Sequence, residues 1–386
     1  MVWNNFWFRF LNNSRISILL VLLFLVAPVS VFAQIMVDAS ATPLTKKAYA
    51  SLFEIQKRGV VFGHQDDLAY GVGWKYIDGN SDIKLITGEY PGIYGWDIAH
   101  IEKKSTTNID KVPFDKIKRY IVEGFDRGGL ITISWHAPNP LTGGDAWDTT
   151  HGTVASILPN GQKHQQYIQW LDRVTAFLQA LKTKEGIQIP ILFRPFHELT
   201  GNWFWWCKNN CSPDEFKQLW RFTVSYLRDK RQLHHLIYVY NTADFGSSTE
   251  FLERYPGDEW VDVLSFDRYQ FEGKNGTALF NEVMTNQLTI LNQVAIQKNK
   301  PVALAETGYE AIPDPTWWTT TLYPLLKKYP LAFVLVWRNH GFMPSTGKMH
   351  HYAPYPGHLS ESDFKKFHSF PEIFFETKIR ELKIYE

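Results

Sequence analysis

From residue 43 onward, short apolar runs alternate with stretches whose apolar residues recur every three or four positions. The runs are "GVVFGHQ" (59 to 65), "PGIYGWD" (91 to 97), "GLITISWH" (129 to 136), "IPILFRPFHE" (189 to 198), "LIYVYN" (236 to 241), "VDVLSFDRY" (261 to 269), "KPVALAE" (300 to 306) and "AFVLVWRNH" (332 to 340). Their near-continuous apolar character is that of parallel strands covered on both faces, not of half-exposed strands that alternate apolar with polar. Between them, Leu44, Ala48, Leu52 and Ile55 mark one helix face, and Tyr167, Trp170, Leu171, Val174, Leu178 and Leu181 mark a longer one. "SPDEF" (212 to 216) carries a helix start, with Ser212 as cap, Pro213 in the first helical position and Glu215 three residues after the cap. Eight such units predict an α/β chain that closes most simply into a single (β/α)8 TIM barrel. An open doubly wound sheet is the alternative, but no Gly-rich phosphate turn follows the first run, where "FGHQDD" stands instead. No linker or charge block interrupts residues 34 to 386, which read as one domain.

The N-terminus has a different pattern. Arg9 and Arg15 precede an apolar run from Ile16 to Ala27, and "VSVFAQ" offers a cleavage point after Ala33. This is the layout of a removable export signal over residues 1 to 33, and the run is shorter than the roughly 20 residues a spanning helix needs. The sequence therefore predicts a periplasmic or secreted protein with no membrane span in the mature chain. Removing Arg9 and Arg15 from 40 basic residues leaves 38 against 39 acidic ones, a formal charge of minus one. So balanced a chain argues against nucleic acid or an anionic membrane as partner. Aromatic residues make up 16% of the chain, with 15 Trp, more indoles than packing alone calls for, and flat sugar rings are a ligand class that rewards aromatic faces.

In a barrel of this kind the chemistry sits where strands end at their C-terminal side. The residues collected there are His64, Gln65 and Asp66 after the first run, Trp96 and Asp97 after the second, Trp135 and His136 after the third, and His197 and Glu198 after the fourth. Asn241 and Asp244 follow the fifth, Asp267 and Tyr269 close the sixth, Glu306 the seventh, and Trp337 with Arg338 the eighth. Glu198 and Glu306 directly follow strong apolar strands on opposite sides of an eight-stranded ring, so their carboxyls can meet across its mouth. Paired carboxyls suit glycoside hydrolysis: one protonates the leaving oxygen and the other attacks the anomeric carbon, or activates water if the gap is wider. The Trp-rich segment "TGNWFWW" after Glu198 would raise its pKa by excluding water, which favours Glu198 as acid, while Tyr269 or Arg194 would keep Glu306 ionised as nucleophile. Histidines 64, 136 and 197 also stand at strand ends, but no H-x-H or H-E-x-x-H pattern accompanies them, so hydrogen bonding to sugar hydroxyls is favoured over a metal site, and no cofactor is expected. Trp203, Trp205 and Trp206 cannot all face one way, so at least one belongs to the core.

These residues resemble glycoside hydrolase family 26, whose best known members are β-mannanases. "FRPFHE" followed by "GNWFWW" is similar to the family's acid/base segment, "AETG" to its nucleophile segment, and "GHQDD", "SWHAPNP", "FDRYQ" and "VWRNH" extend the likeness in order over residues 40 to 370. The resemblance implies a retaining (β/α)8 enzyme acting on β-mannan polysaccharide or manno-oligosaccharides, with Glu198 as acid/base and Glu306 as nucleophile. It further implies that Tyr269 hydrogen-bonds the nucleophile and that Trp337 forms the sugar platform on the non-reducing side of the scissile bond. His136, His197 and Asp267 would line that subsite with Arg338 beside it, Trp203 would stack on the sugar across the bond, and Trp147 is a looser match. Leu199 departs from the family pattern, which leads to a polar residue after the acid/base.

Three questions stay open at this level. Cys207 and Cys211 either bridge to staple the Trp-rich loop, stand as free thiols or, less in keeping with a lone C-x3-C, belong to a metal site. The 15-residue connection "IAHIEKKSTTNIDKV" (98 to 112) either walls off distant subsites, forcing release of short products, or lies flat. Within the family, action on β-glucan or β-1,3-xylan remains an alternative to mannan.

Overall fold

The computed structural model describes residues 36–271 and 273–386. The export-signal reading falls on residues 1 to 33, outside that range. Eight parallel strands form the expected barrel: β1 (Val60–Gln65), β2 (Ile93–Asp97), β3 (Leu130–Trp135), β4 (Ile191–Pro195), β5 (Leu236–Thr242), β6 (Val263–Gln270), β7 (Val302–Tyr309) and β8 (Phe333–Val336). Each pairs with its sequence neighbours, and β8 pairs back onto β1, Val61 opposite Phe333 through His64 opposite Val336, which closes the ring. All eight apolar runs became strands, with no end moved by more than four residues.

Alternation along each strand separates two cores. Val61, Ile93, Leu130, Leu192, Ile237, Val263, Ala303 and Phe333 belong to one buried cluster that also holds Ala48, Tyr49, Leu52 and Ile55 of the first helix, α1 (Pro43–Arg58). The inward-facing residues thus pack on α1, whose Thr42 hydroxyl accepts from Thr45 N–H and whose first residue is Pro43, a start of standard type. The outward residues, such as Phe62, Tyr94, Ile131 and Phe193, join a second cluster with the surrounding helices. Among those are α2 (His164–Gln179), which follows β3, and α3 (Pro213–Ser225), where Ser212 and Glu215 form the capping box read from the sequence.

This alternation corrects one expectation. Trp96 and Trp135 do not face the mouth: both are fully buried against helices, Trp96 stacked on Tyr120 with ring centres 5.7 Å apart and Trp135 on Tyr167 at 6.4 Å. The neighbouring residues Asp97 and His136 turn inward instead, as the two-residue period requires.

Candidate active site

Glu198 stands on the turn that leaves β4, where Phe196 and Glu198 both have positive φ, 55° and 54°. That sparsely populated conformation is held from outside: Asn241 Oδ1 accepts the Glu198 N–H at 2.8 Å, and Trp206 Nε1 donates to the His197 carbonyl at 2.8 Å. The Glu198 carboxyl accepts from Trp203 Nε1 at 2.6 Å. Burial, and then the charge of Glu306, push its pKa up to about 7. A carboxyl that keeps its proton near neutrality is suited to act as a general acid.

Glu306 is presented by β7, and both of its oxygens are held by donors. Arg194, on β4, pairs with Oε1, and Tyr269, on β6, donates to Oε2 at 2.7 Å. Burial and then the negative charge of Glu306 drive the Tyr269 phenol well above its ordinary range, so it remains a donor. Arg194 also donates to Asp267 Oδ2 at 2.7 Å and to Asn241 Oδ1 at 3.2 Å. Asn241 in turn donates to Asp267 Oδ1 at 2.8 Å. Glu198, Asp267 and Glu306 each bring one carboxylate oxygen within 4.8 Å of the others, the only such acidic group among the described residues. Three oxygens at that spacing have the donor chemistry of a cation site. Arg194 already lies between Asp267 and Glu306, however, and supplies the positive charge they share.

Beside the carboxyls a cleft of about 400 Å³, a size suited to a small ligand, is lined by His136, Trp147, Trp337, Arg338, Asp110 and His340, among others. Trp147 is 48% exposed and stacks on His136 with ring centres 5.4 Å apart. Trp203, 39% exposed, stands beside Glu198, to which its indole donates. The structure therefore brings together the anticipated residues Glu198, Glu306, His136, His197, Trp203, Asp267, Tyr269, Trp337, Arg338 and Trp147. Of the three clustered tryptophans, Trp205 and Trp206 are the core residues. Leu199 is fully buried as well, so its side chain packs into the protein and not toward a leaving group.

The bridge considered for Cys207 and Cys211 is not formed; both thiols are free. Cys207 points to the Glu198 carbonyl, 3.3 Å away, while Cys211 points to the Trp206 carbonyl at 3.4 Å with Arg254 beside it. Within the connection of residues 98 to 112, Asp110 pairs with Arg338 and forms part of the cleft wall. Sequence reasoning placed Asn241 and Asp97 at the mouth without a specific task and did not single out Asp110. Asn241 was visible as a polar residue within an apolar strand, whereas Asp110 lies in a loop with no distinguishing pattern.

The description "Glycosyl hydrolase family 26" fits residues 37–313 as a family pattern. The chain belongs to that family. It is 32% identical over 349 residues to a mannan endo-1,4-β-mannosidase of Bifidobacterium adolescentis, covering 86% of this chain and 34% of that protein. The family member thus spans about a third of that relative's length. A mannan endo-1,4-β-mannosidase of Bacillus subtilis is 30% identical over 268 residues, 67% of this chain and 68% of the relative. Among solved structures, a family 26 β-mannanase from Bacteroides ovatus superposes with a TM-score of 0.85 at 45% identity, covering 89% of this chain and 98% of that one.

Proposed function

We propose that this family 26 enzyme is a retaining β-mannanase that hydrolyses internal β-1,4 linkages of mannan, glucomannan or galactomannan by double displacement. The observation that carries the reading is the approach of the Glu198 and Glu306 carboxylate oxygens to within 4.8 Å, next to the roughly 5 to 5.5 Å at which a direct nucleophile replaces a water. Glu306, with both oxygens held by Arg194 and Tyr269, attacks the anomeric carbon; Glu198 protonates the departing oxygen and then, as a base, draws a proton from the incoming water. Trp337 serves as platform on the non-reducing side, with His136, His197, Asp267 and Arg338 around the sugar, and Trp203 stacks across the bond. The mannan assignment is supported by the relatives, each named for that activity.

A second reading, release of mannobiose from chain ends, is favoured by one observation. Asp110 reaches from the 98 to 112 connection to Arg338, so a side-chain bridge stands in the wall of the cleft that would receive the non-reducing sugars. Export follows from the N-terminal pattern, with cleavage after Ala33. Among the described residues no helix is long and apolar enough to cross a membrane.

The test is reducing-sugar release from mannan, with product sizes, by the mature chain beside Glu198→Ala and Glu306→Ala. Loss of several orders of magnitude in both variants supports the pair. A ladder of oligosaccharides marks internal cutting, and disaccharide alone marks the second reading. Intact mannan with the parent enzyme rejects the substrate.

A further inference from the structure

From His197 through His136, which lines the cleft, a line of three side chains runs inward to Asp97, and the two-glutamate chemistry leaves Asp97 without a task. Asp97, the last residue of β2, is fully buried, and its carboxylate accepts four hydrogen bonds. The Ala99 N–H reaches Oδ1 at 2.8 Å; Ser134 Oγ at 2.8 Å, the His136 N–H at 3.1 Å and His136 Nδ1 at 2.8 Å reach Oδ2. His136 Nε2 lies 3.1 Å from His197 Nε2, so one of those two nitrogens carries the proton between them.

The surroundings decide which. Burial disfavours a charged His136, but the Asp97 carboxylate more than offsets it and holds the imidazole above its ordinary pKa. Burial, and then the positive charges of His136 and Arg194, hold His197 well below its own. His136 Nδ1 faces the Asp97 carboxylate and so bears a proton, and the same carboxylate favours a second proton on Nε2, the atom turned toward His197. The outer face of His136 carries the Trp147 ring, 21° from parallel, in the geometry of a cation–π contact.

We propose that Asp97 is a positioning residue: it fixes His136 as a cation, and that cation anchors Trp147 over the cleft and contributes to the charge that Glu198 experiences. Asp97 touches no reacting atom in this account and acts only through His136. The groups facing His136 are Asp97 from β2, His197 from the turn after β4, Asp110 from the connection after β2, Glu306 from β7 and Arg338 at the end of β8. Those facing Glu198 are Glu306, Arg194, His136 and the Trp203 indole. Because the His136 charge favours the carboxylate form of Glu198, removing it lets Glu198 keep its proton to higher pH.

The proposal rests on the two-glutamate reading for its kinetic arm, and the experiment separates the two. Imidazole 15N spectra of the resting full-length mature enzyme at neutral pH are expected to show both nitrogens of His136 protonated and one of His197. A neutral His136 overturns the proposal whatever the activity. In kinetics, Asp97→Asn keeps the shape and an acceptor but removes the charge. It is expected to move the alkaline limb of kcat/KM upward by roughly half a pH unit to one unit. His136→Gln is expected to move it the same way, and the double variant no further than either. A limb that stays in place in Asp97→Asn while kcat falls shows a purely structural role and overturns the proposal. Should Asp97→Asn fail to fold, the parent spectra alone decide. Should no enzyme cleave mannan, the two-glutamate reading fails while the spectra still settle the charge on His136.

Discussion

Asp267 and Glu306 lie directly opposite each other on β6 and β7, although Phe266 pairs with Leu304 and a regular ladder would put Ala305 there. An extra residue on β7 produces the match, and β8 registers it as well, Val334 pairing with Leu304 and Val336 with Thr307. Ala303 and Ala305 face into the barrel and Leu304 faces out, so strict alternation would turn Glu306 outward toward the helices. The bulge reverses that and aims the carboxylate at the mouth, where Arg194 joins it to Asp267.

Arg194 holds two carboxylates at once, a task for a rigid fork and not for a point charge. Arg194→Lys is expected to fold but to lose about 10² to 10³ in kcat, because Glu306 would no longer be fixed against Asp267. Arg194→Met leaves two buried carboxylates uncompensated and is expected to cost about 3 to 5 kcal/mol in denaturant melts.

Trp203 is expected to have two separable effects. Its indole N–H favours the ionised form of Glu198, so Trp203→Phe should push that pKa upward from about 7 and carry the alkaline limb of kcat/KM to higher pH. The phenyl ring keeps part of the stacking surface, so KM should rise less than in Trp203→Ala. Initial rates across pH on one oligosaccharide check both.

Glu198 is also expected to make stability depend on pH. Its folded pKa, about 7, lies above the unfolded value, so the folded state binds more protons and stability falls as pH rises from the unfolded pKa through about 7. Glu198→Gln removes that loss. Its melting temperature should match the parent's in mild acid and exceed it by a few degrees above neutrality, as read by calorimetry.

How much of this was legible follows from where each signal resides. The eight strands were readable because burial on both faces leaves continuous apolar runs, and Glu198 and Glu306 because they end two of them. The facing of Trp96 and Trp135 followed from alternation but was obscured by their place at strand ends. The bulge at Ala305 left no mark in "VALAETG". Asn241 takes its importance from partners on β4 and β6, 47 and 26 residues away, and Asp110 from Arg338, 228 residues away. Such roles arise only once the ring has closed.

Asn241 offers a check on that point. Asn241→Ala strips an acceptor from the part-buried Glu198 N–H and a donor from the buried Asp267. A loss of about 1 to 3 kcal/mol in stability is expected from the unpaired groups, with a larger relative fall in kcat than in affinity for oligosaccharide.

The free thiols give an independent check of the β4 loop. Burial, chiefly, raises the Cys211 pKa to about 11 and pushes Cys207 higher. Thiol reagent should therefore find two reactive groups in denaturant and almost none in the native protein, and reductant should leave the melting temperature unchanged.

The central claim, that Glu306 attacks the sugar directly and Glu198 serves it as acid and then base, is tested most directly by proton NMR of the first product formed from a manno-oligosaccharide. Double displacement by this pair predicts that the new reducing end appears first as the β anomer and only later equilibrates. An α anomer in the first minutes would show a single displacement by water and would contradict the account.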